Sequence, residues 1–302
     1  MSTAPKRIFI AEAAKGYILK VLIDALAQPL PRTYMSLDKE GISICQPESG
    51  ETTLFDISIP REDFRKYKCK VPQTISFNTK HMQKLLRNVK KKDSITLFID
   101  DKNIKKIGIT IRPESSRKTV RFETNYIVYQ DEPDYTPCDL PDGGYKDPVV
   151  IDSSDFQKIK RLTTVGKIIN VVMQDDNYLS FKCGTSDVYS SELGFGELKD
   201  DEDSDDEDSS GNTIYESQFY SSVLNLLVKL PGLGTQMQIY RPLIDHYPLR
   251  IKVKGGQSGT SFGKYEVYCK DIPQITFEES LRSEAEVEVE EKPKKKKKKS
   301  SK

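Results

Sequence analysis

The sequence predicts an α+β protein built from two similar domains, and three observations carry that reading. Short runs of alternating apolar residues, the spacing of half-buried strands, are interrupted at a few places by runs of helical period. The same order of helix and strands occurs twice, offset by roughly 140 residues, which is too long for a solenoid repeat. Between the copies the composition changes: Pro133, Pro137, Pro141, Gly143 and Gly144, mixed with acidic residues, mark an extended linker lying across the surface. The expected boundaries are a first domain over 1–127, a connector over 128–147, a second domain over 148–276 and a disordered charged tail over 277–302.

In the first half, 8–12 reads as a short strand and 16–28 as a helix whose Leu19, Leu22, Ile23 and Leu26 share a face. Pro29 and Pro31 stop that helix. Strands are expected at 33–37, 42–45, 52–59 and 71–77, then a helix over 78–93. Met82, Leu85, Leu86 and Val89 give this second helix an apolar face, and Asn78 is placed to cap it. Lys80, Lys84, Arg87 and Lys91 recur at the same spacing on the opposite face. A solvated face usually mixes signs to gain i,i+4 pairs. Four like charges repel one another, and their grouping makes sense against a polyanion. Strands at 94–99, 106–112 and 119–127 complete the half.

The second half follows the same order. A helix over 155–163 turns Phe156, Ile159 and Thr163 inward and Lys158 and Arg161 outward, with Ser154 as its cap. Strands at 168–173, 178–182 and 188–193 lead to the acidic run 200–208, read as a solvated loop. A helix over 218–230 with Ser217 as cap shows Ser221, Asn225 and Lys229 outward, and Pro231 and Gly232 end it. Strands at 236–240, 249–253 and 264–268 follow, before a tail that ends in the run Lys294 to Lys299.

A chain of 302 residues can hold two cores, although only 36% of it is apolar. No run resembles a signal peptide or is long enough to span a membrane. Five cysteines, scattered without CxxC spacing, fit a reducing compartment and argue against zinc. The net charge of +1 hides an asymmetry: residues 1–127 carry roughly +10 and residues 128–276 roughly −11. The first half is therefore the expected polyanion contact. Catalytic and cofactor signatures are missing. His81 and His246 are the only histidines, and neither has Cys, Asp or Glu at ligand spacing. The Gly-rich stretch 255–264 lacks phosphate-loop spacing, and 200–208 lacks the glycine and terminal glutamate of an EF-hand loop. The expectation is a protein that is not an enzyme and carries no cofactor or metal.

Four segments resemble the eukaryotic-type DNA polymerase sliding clamp family, proliferating cell nuclear antigen. Gly16-Tyr17-Ile18-Leu19-Lys20 with Leu22, Ala25 and Leu26 is similar to the family's first helix. The stretch 67–97 runs alongside the family pattern without an apparent gap. Leu140-Pro141 and Tyr145, then Val149-Val150 and Ser153-Ser154-Asp155-Phe156, resemble the end of the connector and the start of the second domain. Val267-Tyr268-Cys269-Lys270-Asp271-Ile272 sits where the family's last strand emerges. The resemblance covers roughly residues 8–272. Departures occur at Pro47-Glu48-Ser49-Gly50-Glu51, where a Met-Asp-Ser-Ser-His-like run is common, and at Val21, where a basic residue is common. The acidic loop and the tail are also longer than usual, which fits a divergent member, viral hosts included.

The resemblance implies a homotrimeric ring with sheets outside and helices lining a hole around double-stranded DNA. It makes Lys20, Lys80, Lys84, Arg87, Lys91, Lys158, Arg161 and Lys229 the expected DNA contacts. It implies ring closure through edge strands at 119–126 and 188–193, with Phe122 and Tyr189 as interface residues. It implies a groove of Leu54, Leu140, Pro141, Val267, Tyr268 and Cys269 that receives short docking motifs of a DNA polymerase and other replication and repair proteins. A clamp loader and a nuclear or viral replication compartment belong to the same expectation. Two other roles stay open on the sequence: one subunit of a hetero-trimeric checkpoint-type clamp, or a monomeric processivity factor that forms no ring. A DNA-acting enzyme is the remote alternative.

Overall fold

The computed structural model describes residues 6–114, 122–130, 133, 135, 143–175, 177–185, 189–196, 212–254 and 262–290. The first half runs β1 (Arg7–Ala13), α1 (Tyr17–Leu26), β2 (Arg32–Leu37), β3 (Gly41–Pro47), β4 (Thr53–Pro60), β5 (Lys66–Cys69), β6 (Gln73–Asn78), α2 (Thr79–Leu86), β7 (Ser94–Asp100), β8 (Lys106–Arg112) and β9 (Phe122–Ile127). The second runs β10 (Val149–Asp152), α3 (Ser153–Phe156), α4 (Lys160–Val165), β11 (Ile168–Gln174), β12 (Leu179–Thr185), β13 (Tyr189–Phe195), β14 (Thr213–Tyr220), α5 (Ser221–Leu227), β15 (Gln236–Tyr240), β16 (Leu249–Lys254), β17 (Lys264–Cys269) and α6 (Ile272–Glu290).

Three antiparallel sheets result. Five strands lie in the order β5-β1-β7-β8-β9 and four in the order β13-β12-β11-β14. The third sheet has eight strands, β10-β15-β16-β17-β4-β3-β2-β6, and crosses from one half to the other. Its seam is the β17–β4 pair, with Val267 opposite Phe55 and Tyr265 opposite Ile57. The alternation of β4 explains which face is which. Phe55, Ile57 and Ile59 are buried, while Leu54, Asp56 and Ser58 are partly exposed on the other side. Leu249, Ile251 and Val253 of β16 continue the buried row.

The helices form a layer over these cores. α1 packs beside α2 and α4 beside α5. A 3-10 turn after α5, Leu230–Leu233, packs against α1 and so joins the helices of the two halves. Gly232 permits that approach, since a Cβ there would lie 2.8 Å from Cγ1 of Val21.

Several boundaries differ from the sequence reading. Asn78 does cap α2, its side chain accepting the His81 N–H at 2.9 Å, but the helix stops at Leu86 rather than near 93. Past it the Arg87 N–H bonds to the Lys84 carbonyl and the Val89 N–H to that of Leu86. These tight turns swing Val89 into the core. The helix expected at 155–163 is a chain of short pieces from Ser153 to Val165, with Leu162, not Thr163, completing its inner face. Ser154 lies inside it, not at its cap. Residues 218–220 belong to β14, so the helix expected from 218 begins at Ser221.

The expected second-domain boundary at 276 falls inside α6, and the expectation of disorder from 277 is corrected as far as Glu290. Asp271 explains the helix: its carboxylate accepts the Gln274 N–H at 2.8 Å and the Ser217 hydroxyl at 2.6 Å. The first turn is thus anchored to β14. The acidic run 200–208 and the Lys294 to Lys299 run lie outside the described residues.

The seam predicts shared stability. Phe55→Ala should cost about 3–5 kcal/mol. Urea unfolding should still show one transition for both halves, with its midpoint lowered. Two separated transitions would mean that the halves do not share this sheet as a unit.

Candidate nucleic-acid and partner interfaces

The basic residues predicted to meet DNA all sit on the helix layer or the turns that follow it, but they fall into two groups. Lys80 and Lys84 are exposed on α2, and Arg87 and Lys91 are exposed in the turns beyond it. Arg161 is exposed on α4. Among the described residues these five side chains have no ion-pair partner. The other three are engaged. Lys158 pairs with Asp155 at 2.7 Å. Lys20 pairs with Asp24 at 2.8 Å and lies over the Tyr17 ring. Lys229 donates to the Asp24 carbonyl at 3.2 Å. Lys160 is not among the expected contacts, yet it lines a surface groove with Ser154, Gln157, Lys158, Arg161 and Thr164.

The two strands expected to close a ring are both sheet edges. Among the described residues β9 pairs only with β8, and β13 only with β12. Phe122 is 61% exposed and Tyr189 41%, so neither is a core aromatic. The Tyr189 hydroxyl donates to the Val165 carbonyl at 2.9 Å, which ties this edge to the end of α4. Both edges leave a row of backbone donors and acceptors open to another chain.

The described residues of the connector are anchored to the eight-stranded sheet. At its start, Tyr129 exchanges backbone hydrogen bonds with Ser76 of β6 at 2.8 and 3.0 Å. Tyr135 then packs edge-on against Tyr34 of β2, and its hydroxyl donates to the Cys45 carbonyl of β3. At its far end the Tyr145 hydroxyl donates to the Pro248 carbonyl, at the entry to β16. β17 and β4 lie between these anchors, and on them Tyr268 stands opposite Leu54.

The groove expectation is corrected in part by this register. Val267 and Cys269 point the other way, into the core, at 1% and 0% exposure. Burial pushes the Cys269 thiol up to about 12, so it is unreactive. Leu54, half-buried, and Tyr268, itself buried at 5% exposure, do sit on the connector face, while Leu140 and Pro141 lie outside the described residues.

Beside them is a buried charge cluster that sequence patterning does not reveal. Glu266, 1% exposed, meets Arg250 at 2.6 Å, Lys264 at 3.1 Å and Lys252 at 3.6 Å. The Tyr268 hydroxyl lies 3.1 Å from the same carboxylate. Arg250 stacks on the rings of Tyr240 and Tyr145. Burial opposes ionisation of Glu266, but the hydrogen bonds from Arg250 and Lys264 outweigh it and hold the carboxyl below its ordinary range. Asp56, across the strand, is shifted upward, chiefly by burial.

Comparison with known proteins gives a consistent result. Residues 8–132 match the family described as proliferating cell nuclear antigen, N-terminal domain. A probable DNA polymerase sliding clamp of Paramecium bursaria Chlorella virus 1 is 26% identical over 256 residues, covering 83% of this chain and 94% of that protein. A DNA polymerase sliding clamp of the archaeon Nitrosopumilus maritimus is 26% identical over 251 residues, with the same coverage. The crystal structure of proliferating cellular nuclear antigen from Entamoeba histolytica superposes with a TM-score of 0.72 at 14% identity, covering 88% of this chain and 99% of that one.

The Glu266 cluster makes a pH prediction. Its folded pKa lies below the ordinary 4.5, so its pairing stabilises the fold at neutral pH and fades as pH falls through the folded value. Glu266→Gln should cost about 3 kcal/mol at pH 7. In denaturant titrations the gap from the unaltered protein should narrow as pH drops below 4.5. A gap independent of pH would mean that Glu266 acts by packing alone.

Proposed function

We propose that this chain, a divergent PCNA-like DNA sliding clamp, works as a homotrimeric ring that passes duplex DNA along its helix layer. The observation that carries this reading is the unpaired charge on that layer. Lys80, Lys84, Arg87, Lys91 and Arg161 have no anionic partner among the described residues and share the side formed by α2 and α4. Contacts from lysine and arginine to phosphate give affinity without sequence information. A clamp needs that property, because a contact that read bases would stop it sliding.

Ring closure would use the two free edges. β9 of one copy would continue the sheet that ends in β13 of the next, a head-to-tail contact that closes only at a fixed number of copies. Phe122 and Tyr189 are the exposed aromatics that such a joint would cover. On the outer face, the surface between the connector's anchors would receive a docking motif of a polymerase or a repair protein, against Leu54 and Tyr268. The role is non-enzymatic: the protein holds its partners on DNA while they perform the chemistry. A clamp loader would open the ring, and the site of action would be the nucleus or a viral replication compartment.

Two measurements test this reading. Sedimentation of the purified chain should give three times the 34.4 kDa subunit mass. Phe122→Arg should shift it toward the monomer. A stable monomer at high concentration for the unaltered chain would sink the ring. Lys84→Glu with Arg87→Glu should leave the mass intact and cut clamp-dependent processivity by about tenfold or more. Unchanged processivity would show that DNA does not follow α2.

A further inference from the structure

The helix layer contains one acidic residue whose placement the clamp reading does not require. Asp24 is the only acid on α1, and it lies where α1, α2 and the turn after α5 meet. Its carboxylate is shared. One oxygen takes the Lys20 ammonium at 2.8 Å and the other takes the Gln83 amide of α2 at 3.0 Å. Its backbone carbonyl takes the Lys229 ammonium from the second half at 3.2 Å. The Lys20 side chain is only 18% exposed and Asp24 29%, so this pair is partly sheltered rather than a fluctuating surface contact.

We propose that Asp24 is a positioning residue that sets how strongly the junction of the two halves grips DNA. The proposal rests on the helix layer being the DNA path. Asp24 cancels the charge of Lys20 and folds its ammonium down against Tyr17 and α1, away from the solvent side. It also holds Lys229 in place through a backbone oxygen, which leaves the Lys229 charge uncancelled by that contact. Two lysines and one carboxylate therefore present one net positive charge at the junction, against four uncancelled charges at Lys80, Lys84, Arg87 and Lys91. The grip is concentrated on α2 and its following turns, and Asp24 keeps the junction weak. Weak, uneven contact suits a protein that must move along its ligand, since each neutralised phosphate releases a counterion and deepens the well.

The test titrates a labelled linear duplex with the full-length chain at a series of salt concentrations. Asp24→Asn retains the shape, the backbone carbonyl that holds Lys229 and an acceptor for Gln83, and it removes the charge. It should tighten binding at low salt by several-fold. It should also steepen the plot of log affinity against log salt by about 0.9 for each Lys20 that reaches a phosphate. Lys20→Gln leaves the Asp24 carboxylate unpaired and should weaken binding in the unaltered chain, and in the Asp24→Asn background it should abolish the gain. The proposal is overturned if Asp24→Asn leaves affinity and slope unchanged or weakens them. It is also overturned if the doubly substituted chain still binds more tightly than the unaltered one. If Asp24→Asn does not fold, Lys20→Gln still tests the pair, and unchanged binding for it overturns the proposal. The Lys84→Glu, Arg87→Glu variant separates the two levels. If it weakens binding while Asp24→Asn shifts nothing, only the Asp24 role fails. If it too changes nothing, the DNA path is wrong.

Discussion

The pairing of β17 with β4 is the constraint on which the rest depends. It joins strands from opposite ends of the chain, Tyr265 against Ile57 and Val267 against Phe55, and so makes one eight-stranded sheet out of two halves. A strand has only two faces. Once Phe55, Ile57, Tyr265 and Val267 are committed to the core under the helices, Leu54, Asp56, Glu266 and Tyr268 must stand on the other side. The seam therefore separates two surfaces, with unpaired positive charge on the helix wall and the connector's anchors on the other.

Glu266 shows what that assignment costs. It sits in the middle of a sheet beneath tyrosines, where an isolated carboxylate would be strongly disfavoured. Arg250 and Lys264 compensate by direct hydrogen bonds, with Lys252 nearby. The gain is positional more than energetic. Such a cluster is satisfied in only one strand register, and slipping β17 by one residue would put Glu266 into the apolar core. The cluster thus fixes the register that also puts Tyr268 opposite Leu54.

Much of this was legible in the sequence, and what was missed has physical causes. Alternation in 52–59 and helical spacing in 16–28 each gave the right element, because one face of each is uniformly apolar. The N-cap at Asn78 was readable from the residue type and its place ahead of the apolar run. The end of α2 was not. Val89 fits the helical face equally well in the sequence, and only the tight turns after Leu86 show that it reaches the core by another route. The end of β14 reads as helix in the sequence because Phe219 and Val223 fall at helical spacing although they belong to different elements. For the basic stripe, sequence identified the residues but not their partners. Lys20 and Lys84 look alike on paper, and the i,i+4 carboxylate of Asp24 separates them. A resemblance places the strand that holds Val267 and Cys269, whereas the pleat decides which of its residues turn toward the connector and which into the core.

Two of the departures from the family pattern, the run 47–51 and the lengthened C-terminal segment, turn out to be one structural unit. The run from Pro47 to Glu51 forms a turn that Glu48 closes on itself, accepting the Gly50 N–H at 2.6 Å, the Thr52 N–H at 3.0 Å and the Thr52 hydroxyl at 2.8 Å. Glu51, held at φ +54 in the left-handed region, pairs with Arg282 of α6 at 2.6 Å. The lengthened C-terminal segment thus reaches the altered turn directly. A second contact, Phe277 stacked on His246 at 4.2 Å, ties the same helix to the β15–β16 loop. Both Arg282 and Glu51 are more than half exposed, so their pair adds little stability. Its consequence is geometric. The turn precedes Leu54 and the loop precedes β16, so α6 frames the end of the sheet on which the connector's far anchor also rests. A change in the turn without a matching change in the helix would lose that frame, which is why these two departures are best understood as a single unit at the edge of the connector face.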